Sequence, residues 1–324
     1  MKLRVLSADD VTSLLPMRDC IEVMERALAA FARGQVVQPV RLMTRTMDES
    51  GVLALMPAYV GGIGFGFKAV TVFHGNDERG LPSHQGIITL IDAETGTPLA
   101  LMDGTRITAM RTAAVSAVAT RHLARTDASV ATIIGTGVQA RAHAEALACV
   151  RELSEIRIVG RRPEAARALA TELADHLPTR AFDDAAAALD GADIVATVTA
   201  SPAPVFAPEA IAPGTHINAV GAYTATTREV PSETVAAARV FVDDRTAALS
   251  EAGDLLLAIA DGAIDESHVV GTLGEVLIGQ VQGRTDAQQI TIFESLGLGL
   301  EDIAAASHVY GRALEDGIGT DVEI

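Results

Sequence analysis

The chain has 324 residues, of which 49% are hydrophobic and 21% charged, enough for a large core and two domains. Its net charge of -17 argues against nucleic acid as a partner. No apolar run is long enough to span a membrane, and the N-terminus lacks the apolar core of a signal peptide. Cys20 and Cys149 make no metal-binding or redox spacing. We therefore expect a cytoplasmic protein with no membrane association and no metal.

The N-terminal part predicts helices that flank a sheet. Apolar residues at helical spacing predict a helix over 17–33, which Gly34 ends. Segments rich in β-branched or aromatic residues follow, separated by Gly, Pro, Asp or Asn, and they predict an antiparallel or mixed sheet. These predicted strands are 41–47, 51–56, 65–73, 86–92 and 98–102. A further helix is predicted over 108–124.

The next segment is typical of a dinucleotide-binding turn. A β-branched strand ends in Gly135-Thr136-Gly137 and passes directly into an alanine-rich helix. Gly135 permits a sharp turn, Gly137 leaves room for a pyrophosphate, and Ala140 lets helix and strand pack closely. The alternative is a βα turn that needs its glycines only for geometry. The candidate cofactor-binding residues here are Gly135, Thr136, Gly137, Val138, Gln139 and Ala140.

A second strand, 155–159, ends in Gly160-Arg161-Arg162, where NAD-binding domains carry an acidic residue. Two guanidinium groups suit a 2′-phosphate, so NADP(H) is favoured and NAD(H) remains possible. The alternative is that both arginines are solvated loop charges. A helix over 164–177 and strands at 194–199, 216–220 and 239–242 continue the alternation and imply a parallel sheet. Thr199 is a further cofactor candidate, and a terminal helix is predicted over 300–314.

Three basic residues are candidates for a substrate site. Lys68 lies among aromatic and β-branched neighbours in a predicted strand, and a buried lysine must find a carboxylate or shift its pKa. From these residues alone, an outward-facing Lys68 with Phe65, Phe67 and Ala69 inward fits at least as well. Arg41 begins a strand and Arg111 precedes a run of small helical residues, so either guanidinium could bind a carboxylate. Arg45 and Arg106 are rival candidates, and the alternative for each of these arginines is a structural salt bridge.

Ordered motifs over nearly the whole chain resemble the ornithine cyclodeaminase/μ-crystallin family. They are Val37-Gln38-Pro39-Val40-Arg41, Leu55-Met56-Pro57-Ala58-Tyr59, Gly66-Phe67-Lys68, Leu81-Pro82-Ser83-His84-Gln85-Gly86, Arg111-Thr112-Ala113-Ala114, Gly135-Thr136-Gly137-Val138-Gln139-Ala140, Ile217-Asn218-Ala219-Val220-Gly221 and Ile292-Phe293-Glu294-Ser295-Leu296-Gly297.

The resemblance implies an α/β protein. A Rossmann-type parallel-sheet domain would comprise 125–299, and a smaller α+β substrate-binding and dimerisation domain would comprise 1–124 with 300–324. It also implies a homodimer, carboxylate-binding roles for Arg41 and Arg111, and a substrate-contacting role for Lys68.

Two departures from the family pattern bear on the substrate. The cyclodeaminases carry an aspartate for the substrate amine where this chain has Tyr223, and a glutamate for the diamine in the region where this chain has Ala54. Neither side chain can supply that charge. Ornithine cyclodeamination and, more weakly, alanine dehydrogenation are therefore disfavoured.

The resemblance then favours NAD(P)H-dependent reduction of a cyclic imine 2-carboxylate derived from an amino acid. The substrate would be Δ1-pyrroline-2-carboxylate or Δ1-piperideine-2-carboxylate, reduced to L-proline or L-pipecolate. Arg41 and Arg111 would clamp the carboxylate, and Lys68 or a water would deliver the proton. His84 is a second proton-donor candidate, and a purely structural hydrogen bond is an equal alternative for it. The alternative is a non-catalytic NADP-dependent binding protein of the μ-crystallin type.

Overall fold

The chain contains two eight-stranded sheets. The computed structural model describes residues 2–324, and for residues 74 and 77 it describes only the backbone. The strands are β1 Lys2–Leu6, β2 Val36–Val37, β3 Leu42–Arg45, β4 Val52–Val60, β5 Gly64–Val72, β6 His84–Ile91, β7 Pro98–Asp103, β8 Val130–Ile134, β9 Glu155–Val159, β10 Thr179–Phe182, β11 Ile194–Thr197, β12 His216–Ala219, β13 Ala238–Val242, β14 Val269–Thr272, β15 Ile290–Glu294 and β16 Thr320–Glu323. The helices are α1 Ala8–Leu14, α2 Met17–Ala32, α3 Gly104–Leu123, α4 Val138–Val150, α5 Pro163–Leu173, α6 Ala185–Leu189, α7 Ser232–Ala237, α8 Arg245–Glu251, α9 Gly253–Ala260, α10 Leu273–Leu277 and α11 Gly299–Asp316.

The chain divides into two units, one formed by Met1–Arg111 with Leu298–Ile324 and the other by Thr112–Gly297. The first boundary falls within α3, whereas the sequence places it after that helix, between 124 and 125. The second falls just before α11, two residues before the expected start at 300. The substrate, dimerisation and cofactor roles assigned to these units remain predictions.

The first unit contains a mixed sheet in the order β16-β1-β7-β6-β5-β4-β2, with β3 also paired to β4. The pairing of β1 with β7 is parallel, and the other pairings are antiparallel. Helix α11 packs against α2 and against β4, β5 and β6. The predicted mixed sheet is therefore present, but β1, α1 and β16 were not predicted from the sequence.

The second unit contains a wholly parallel sheet in the order β10-β9-β8-β11-β12-β15-β13-β14. Its first six strands follow the doubly wound order of a Rossmann domain, whose switch point lies between β8 and β11. Aliphatic side chains of the strands form its core, because both faces of such a sheet are covered. The predicted α/β class with a Rossmann-type sheet is confirmed.

Within residues 2–324, no helix is both long enough and apolar enough to cross a lipid bilayer.

Candidate functional site

The turn after β8 has the backbone geometry that a phosphate cradle requires. Gly135 has φ +140°, and a Cβ there would lie 2.7 Å from the Val198 carbonyl oxygen, so only glycine fits without strain. Gly137 is the N-cap of α4, no side chain caps that helix, and a Cβ on Gly137 would project into open space. The turn therefore leaves both the helix N–H groups and the space above them available to a pyrophosphate.

The other residues predicted for the cradle occupy the start of α4. Val138 is exposed, Gln139 is half-buried, and Ala140 is fully buried against aliphatic residues of the sheet. Ala140 thus has the packing role that the sequence suggests. Thr136, in the middle of the turn, lies beside Gly160 at the end of β9.

The loop after β9 begins beside this cradle and carries two exposed arginines. A Cβ on Gly160 would lie 2.7 Å from Thr136 Cγ2, so a larger residue at this position would require the Thr136 side chain to move. Arg161 and Arg162 follow, and both are exposed. Arg162 is the N-cap of α5. Gly160, the first of the three positions predicted to select the cofactor, therefore adjoins the fingerprint turn.

Glu229 joins the loops that follow β11 and β12. Its Oε1 accepts hydrogen bonds from Thr199 N at 2.7 Å and Thr199 Oγ1 at 2.5 Å, and its Oε2 accepts from Gly221 N at 2.8 Å. Asp254 Oδ1 in turn accepts from the backbone N–H groups of Glu229 and Val230, at 2.7 and 2.8 Å. Both loops lie at the carboxyl edge of the parallel sheet, where such folds bind their ligands.

Glu229 belongs to a cluster of four buried carboxyl groups, Glu229, Asp243, Asp254 and Glu294. Asp243 Oδ2 accepts hydrogen bonds from the backbone N–H groups of Leu296 and Gly297, both at 2.7 Å. Burial, followed by the three neighbouring carboxylates, raises the pKa of Glu294 well above its ordinary value. Burial likewise raises the pKa of Asp254 to about 7. Glu294 and Asp254 therefore hold their protons more tightly than exposed carboxyl groups do.

Lys68 faces the interior of the first unit. It is 2% exposed, whereas Phe65, on the other face of β5, is 47% exposed. This is the reverse of the outward-facing alternative, in which the phenylalanines point inward. A Cβ on Gly66 would overlap Ile303 of α11, so this glycine allows the helix to lie close to the strand. The same approach brings the N-terminal turn of α11 to Lys68.

Two carboxylates from that turn bind the predicted basic residues. Lys68 Nζ lies 2.8 Å from Asp302 Oδ2, and Arg111 Nε donates to Asp302 Oδ1 at 3.1 Å. Arg111 Nη1 donates to Glu301 Oε2 at 2.9 Å. All four side chains are at most 5% exposed, so the ion pairs are shielded from water.

Arg41 lies in an interruption of the edge of the sheet. Residues 36 and 37 pair with 60 and 59, and pairing resumes between Leu42 and Leu55, so residues 38–41 leave the ladder opposite 56–58. Pro57 lies in that gap and has no N–H to donate to a neighbouring strand. The Gln38 side chain instead accepts a hydrogen bond from Leu300 N at the start of α11, at 3.0 Å.

The electrostatics connect Arg41 to the buried pair. The pKa of Lys68 is lowered to about 8, first by burial and then by the charge of Arg111, with a smaller contribution from Arg41. The Asp302 carboxylate opposes this shift. Lys68, Arg111 and Arg41 therefore act on one another as a cationic group that Asp302 and Glu301 partly neutralise.

His84 lies apart from this group. It is exposed at the start of β6, opposite Val72, and its Nδ1 lies 3.0 Å from Ser83 Oγ. Lys68 pairs with Ile88, four residues further along β6, which corresponds to roughly 13 Å along the strand. Its proposed proton-donor role remains a prediction that this arrangement does not favour.

Sequence reasoning missed Glu301, Asp302 and Glu229. The signal for the first two was a pair of acidic residues in the first turn of a predicted helix, where the helix dipole favours them. Asp302 also precedes Ala306 and Val309 by four and seven residues, so it lies on the buried stripe of α11. Glu229 lies between elements, where the sequence offers no periodicity from which to infer burial.

Ala54 and Tyr223 occupy the positions at which this chain departs from the cyclodeaminase pattern. Ala54 is buried in β4, and Tyr223 is half-buried against the aliphatic core of the second unit. Neither provides a carboxylate for a substrate amine.

A family model, ornithine cyclodeaminase/mu-crystallin family, matches residues 1–317. The chain belongs to this family. Two curated members are similar over nearly their whole length. The Delta(1)-pyrroline-2-carboxylate reductase of Bacillus cereus is 36% identical over 98% of this chain and 99% of its own. The ketimine reductase mu-crystallin of Rattus norvegicus is 39% identical over 94% of this chain and 96% of its own.

A solved structure also matches the chain over nearly its whole length. The Delta(1)-pyrroline-2-carboxylate reductase of Thermococcus litoralis, solved in complex with NADH and L-proline, superposes with a TM-score of 0.96 at 37% identity. The match covers 99% of this chain and 100% of the other. Family membership, which the ordered motifs predict, is thus confirmed.

Proposed function

We propose that this protein reduces a cyclic imine 2-carboxylate, Δ1-pyrroline-2-carboxylate or its six-membered homologue, to L-proline or L-pipecolate with a reduced nicotinamide dinucleotide. The observation that carries the proposal is the buried Lys68–Asp302–Arg111 cluster next to Arg41, in a chain whose second unit has an open dinucleotide cradle. Two of the relatives named above are Delta(1)-pyrroline-2-carboxylate reductases and the third is a ketimine reductase, so their activities are of the same class.

The residues of the first unit suit an anionic imine. Arg41 and Arg111 bind the carboxylate, and Lys68 donates a hydrogen bond to the carboxylate or to the imine nitrogen. When bound, the reduced nicotinamide supplies the hydride that reaches the imine carbon. The nitrogen gains one proton for each hydride transferred, and Lys68 or a water that it orients delivers that proton.

Cationic residues suit a preformed imine better than an amino acid with a second amine. The cyclodeaminases carry a glutamate that holds the diamine and an aspartate for the substrate amine. This chain has Ala54 and Tyr223, respectively, in those regions. A protonated imine is already electrophilic, so the site needs mainly to orient it and to exclude water.

Purified protein should oxidise NADPH when Δ1-pyrroline-2-carboxylate is added, and L-ornithine with NAD should release no ammonia. Lys68→Met should lower kcat/KM at least about 100-fold, with NADPH affinity unchanged. Saturable binding of the imine without turnover would instead indicate a binding protein of the crystallin type. Ammonia release from ornithine would indicate a cyclodeaminase.

The preferred cofactor is NADP(H). Gly160 leaves the position beside the adenosine ribose without a carboxylate, and Arg161 and Arg162 offer charge-assisted hydrogen bonds to a 2′-phosphate. Replacing both arginines by alanine should therefore raise KM for NADPH at least about tenfold and leave KM for NADH within twofold. An equal change for both cofactors would contradict this assignment.

The homodimer that family membership implies has a suitable surface in the first unit. Leu42, Leu53, Phe65 and Ile87 lie on the sheet face opposite Lys68, and each is 41–59% exposed. A patch of this kind marks an interface in soluble proteins. Wild-type protein should elute with the mass of a dimer in light-scattering chromatography, and Leu53→Glu should produce monomer. A monomeric wild type would contradict the assignment.

A further inference from the structure

We infer that Asp302 is the positioning residue of the basic cluster, holding Lys68 on one carboxylate oxygen and Arg111 on the other so that Lys68 stays an ammonium donor. The functional meaning of this inference rests on the proposed function, because the ammonium proton is the one that the imine or its carboxylate would receive. The inference itself rests on the arrangement of side chains in the first unit.

The geometry fixes both cations with one group. Asp302 Oδ2 lies 2.8 Å from Lys68 Nζ, and Asp302 Oδ1 accepts from Arg111 Nε at 3.1 Å. The Asp302 side chain has no exposed surface. Since an aspartate has few rotamers and both of its oxygens are engaged, Lys68 and Arg111 cannot reorient independently of each other.

The backbone places Asp302 where it can do this. Gly299, the first residue of α11, lies against the carbonyl groups of Met56 and Pro57, and a Cβ there would be 3.1–3.2 Å from both oxygens. Gln38 accepts from Leu300 N. The first turn of α11 is therefore held against β4, one strand away from Lys68.

The charged and titratable groups around Lys68 come from four segments of the chain. Arg41 lies in the segment 38–41, Arg111 is on α3, and Asp302 is on α11 beside Glu301, which binds Arg111. From α2, the Cys20 thiol lies near Arg111 and Glu301, and burial raises its pKa to about 12, so it is neutral. Asp302 is therefore the carboxylate that favours the charged form of Lys68 against burial and two guanidinium groups.

Asp302→Asn removes this effect with little change in shape. The amide oxygen can still accept from Arg111 Nε, but the amide nitrogen that replaces Oδ2 donates and cannot accept from an ammonium. A neutral Lys68 amine would accept from that nitrogen. The substitution should therefore favour the neutral lysine.

The chain offers a direct readout, because Lys2 and Lys68 are its only lysines. With lysine labelled at 13Cε, an NMR titration of the protein without substrate should show two resonances, and Lys68→Met assigns them by removing one. The wild-type Lys68 midpoint should be at about 8. In Asp302→Asn it should fall by at least one pH unit, while the exposed Lys2 is unchanged. A shift of less than half a unit would overturn the inference.

Glu301→Gln is the matched control, since Glu301 binds Arg111 on the same helical turn. Its effect on the Lys68 midpoint should be less than half that of Asp302→Asn, and an equal effect would show that the shift is not specific to Asp302. In turnover, the alkaline limb of kcat/KM should move down with the NMR midpoint. If the wild type reduces no cyclic imine, the proposed function fails, but the NMR titration still decides the role of Asp302.

Discussion

Lys68, Arg111 and Arg41 carry the same charge in different surroundings. Lys68 and Arg111 are almost fully buried and paired with Asp302 and Glu301, whereas Arg41 is half-buried at a break in the sheet edge. Removing one partner from a buried ion pair leaves the other charge buried without compensation. This costs much more stability than the removal of a charge that is in contact with water. Substitution of Arg111 should therefore reduce stability as well as substrate binding, whereas substitution of Arg41 should reduce mainly substrate binding.

Arg111→Gln should lower the free energy of unfolding by about 3 kcal/mol or more, because Glu301 and one oxygen of Asp302 would remain buried without their cation. Arg41→Gln should raise KM for the imine roughly 10- to 100-fold, the effect of one charge-assisted hydrogen bond, with little change in stability. Urea unfolding and steady-state kinetics on both variants measure the contrast. Equal destabilisation by both would contradict it.

The sequence identifies the three cationic residues but not the carboxylates that pair with them. Lys68 occurs in a strand whose alternation allowed either face, and the structure turns it inward because Gly64 and Gly66 share its face and leave room for α11. Asp302 lies 234 residues away along the chain. Only the packing of α11 against β5 brings the two together, and no local pattern encodes that packing.

The loops at the carboxyl edge of the parallel sheet depend on Glu229. Its three hydrogen bonds connect Thr199, after β11, to Gly221, after β12, and these are loops at which a Rossmann domain holds its cofactor. A carboxylate can accept all three, whereas an amide must direct a donor at one of these N–H groups.

Glu229→Gln should therefore weaken NADPH binding about tenfold or more, the equivalent of one charge-assisted hydrogen bond. Exposed Glu233, on α7, provides a control substitution of the same type that should leave affinity unchanged. Fluorescence titration of NADPH measures both. Unchanged affinity in Glu229→Gln would show that the two loops keep their positions without the carboxylate.

Elements with strong local signals were predicted from the sequence, and the two terminal strands of the first sheet, β1 and β16, were not. The turn at Gly135 to Gly137 and the strands β8 and β9 were predicted because glycine geometry and β-branched residues act locally. Strands β1 and β16 are short, and they pair with each other across almost the whole chain. Their partner, more than their own sequence, makes them strands.

The carboxyl cluster of the second unit affects the stability of the whole molecule. Glu294 and Asp254 have folded-state pKa values above their ordinary ones, so the folded protein binds more protons than the unfolded chain between about pH 4 and 7. Their contribution to stability is therefore lost as pH rises through that window. The buried, neutral His143 and His216, whose pKa values are lowered to about 4 and 3, act in the opposite direction.

Glu294→Gln isolates the carboxyl contribution, since the histidines are the same in both proteins. The difference in free energy of unfolding, variant minus wild type, should be larger at pH 8 than at pH 5. The expected increase is about 1.4 kcal/mol or more, the equivalent of one pKa unit. Urea unfolding at each pH gives this difference. A difference that is constant with pH would mean that Glu294 is ionised in the folded protein.

In the proposed reaction, a hydride passes from the reduced nicotinamide to the carbon of a carboxylate-bearing cyclic imine. The most direct measurement is to incubate the protein with Δ1-pyrroline-2-carboxylate and NADPH deuterated at C4 and to analyse the product by mass spectrometry and NMR. We predict L-proline with one deuterium at its α-carbon. Recovery of unreduced imine and unoxidised NADPH, or of proline without deuterium when both C4 positions are labelled, would contradict the claim.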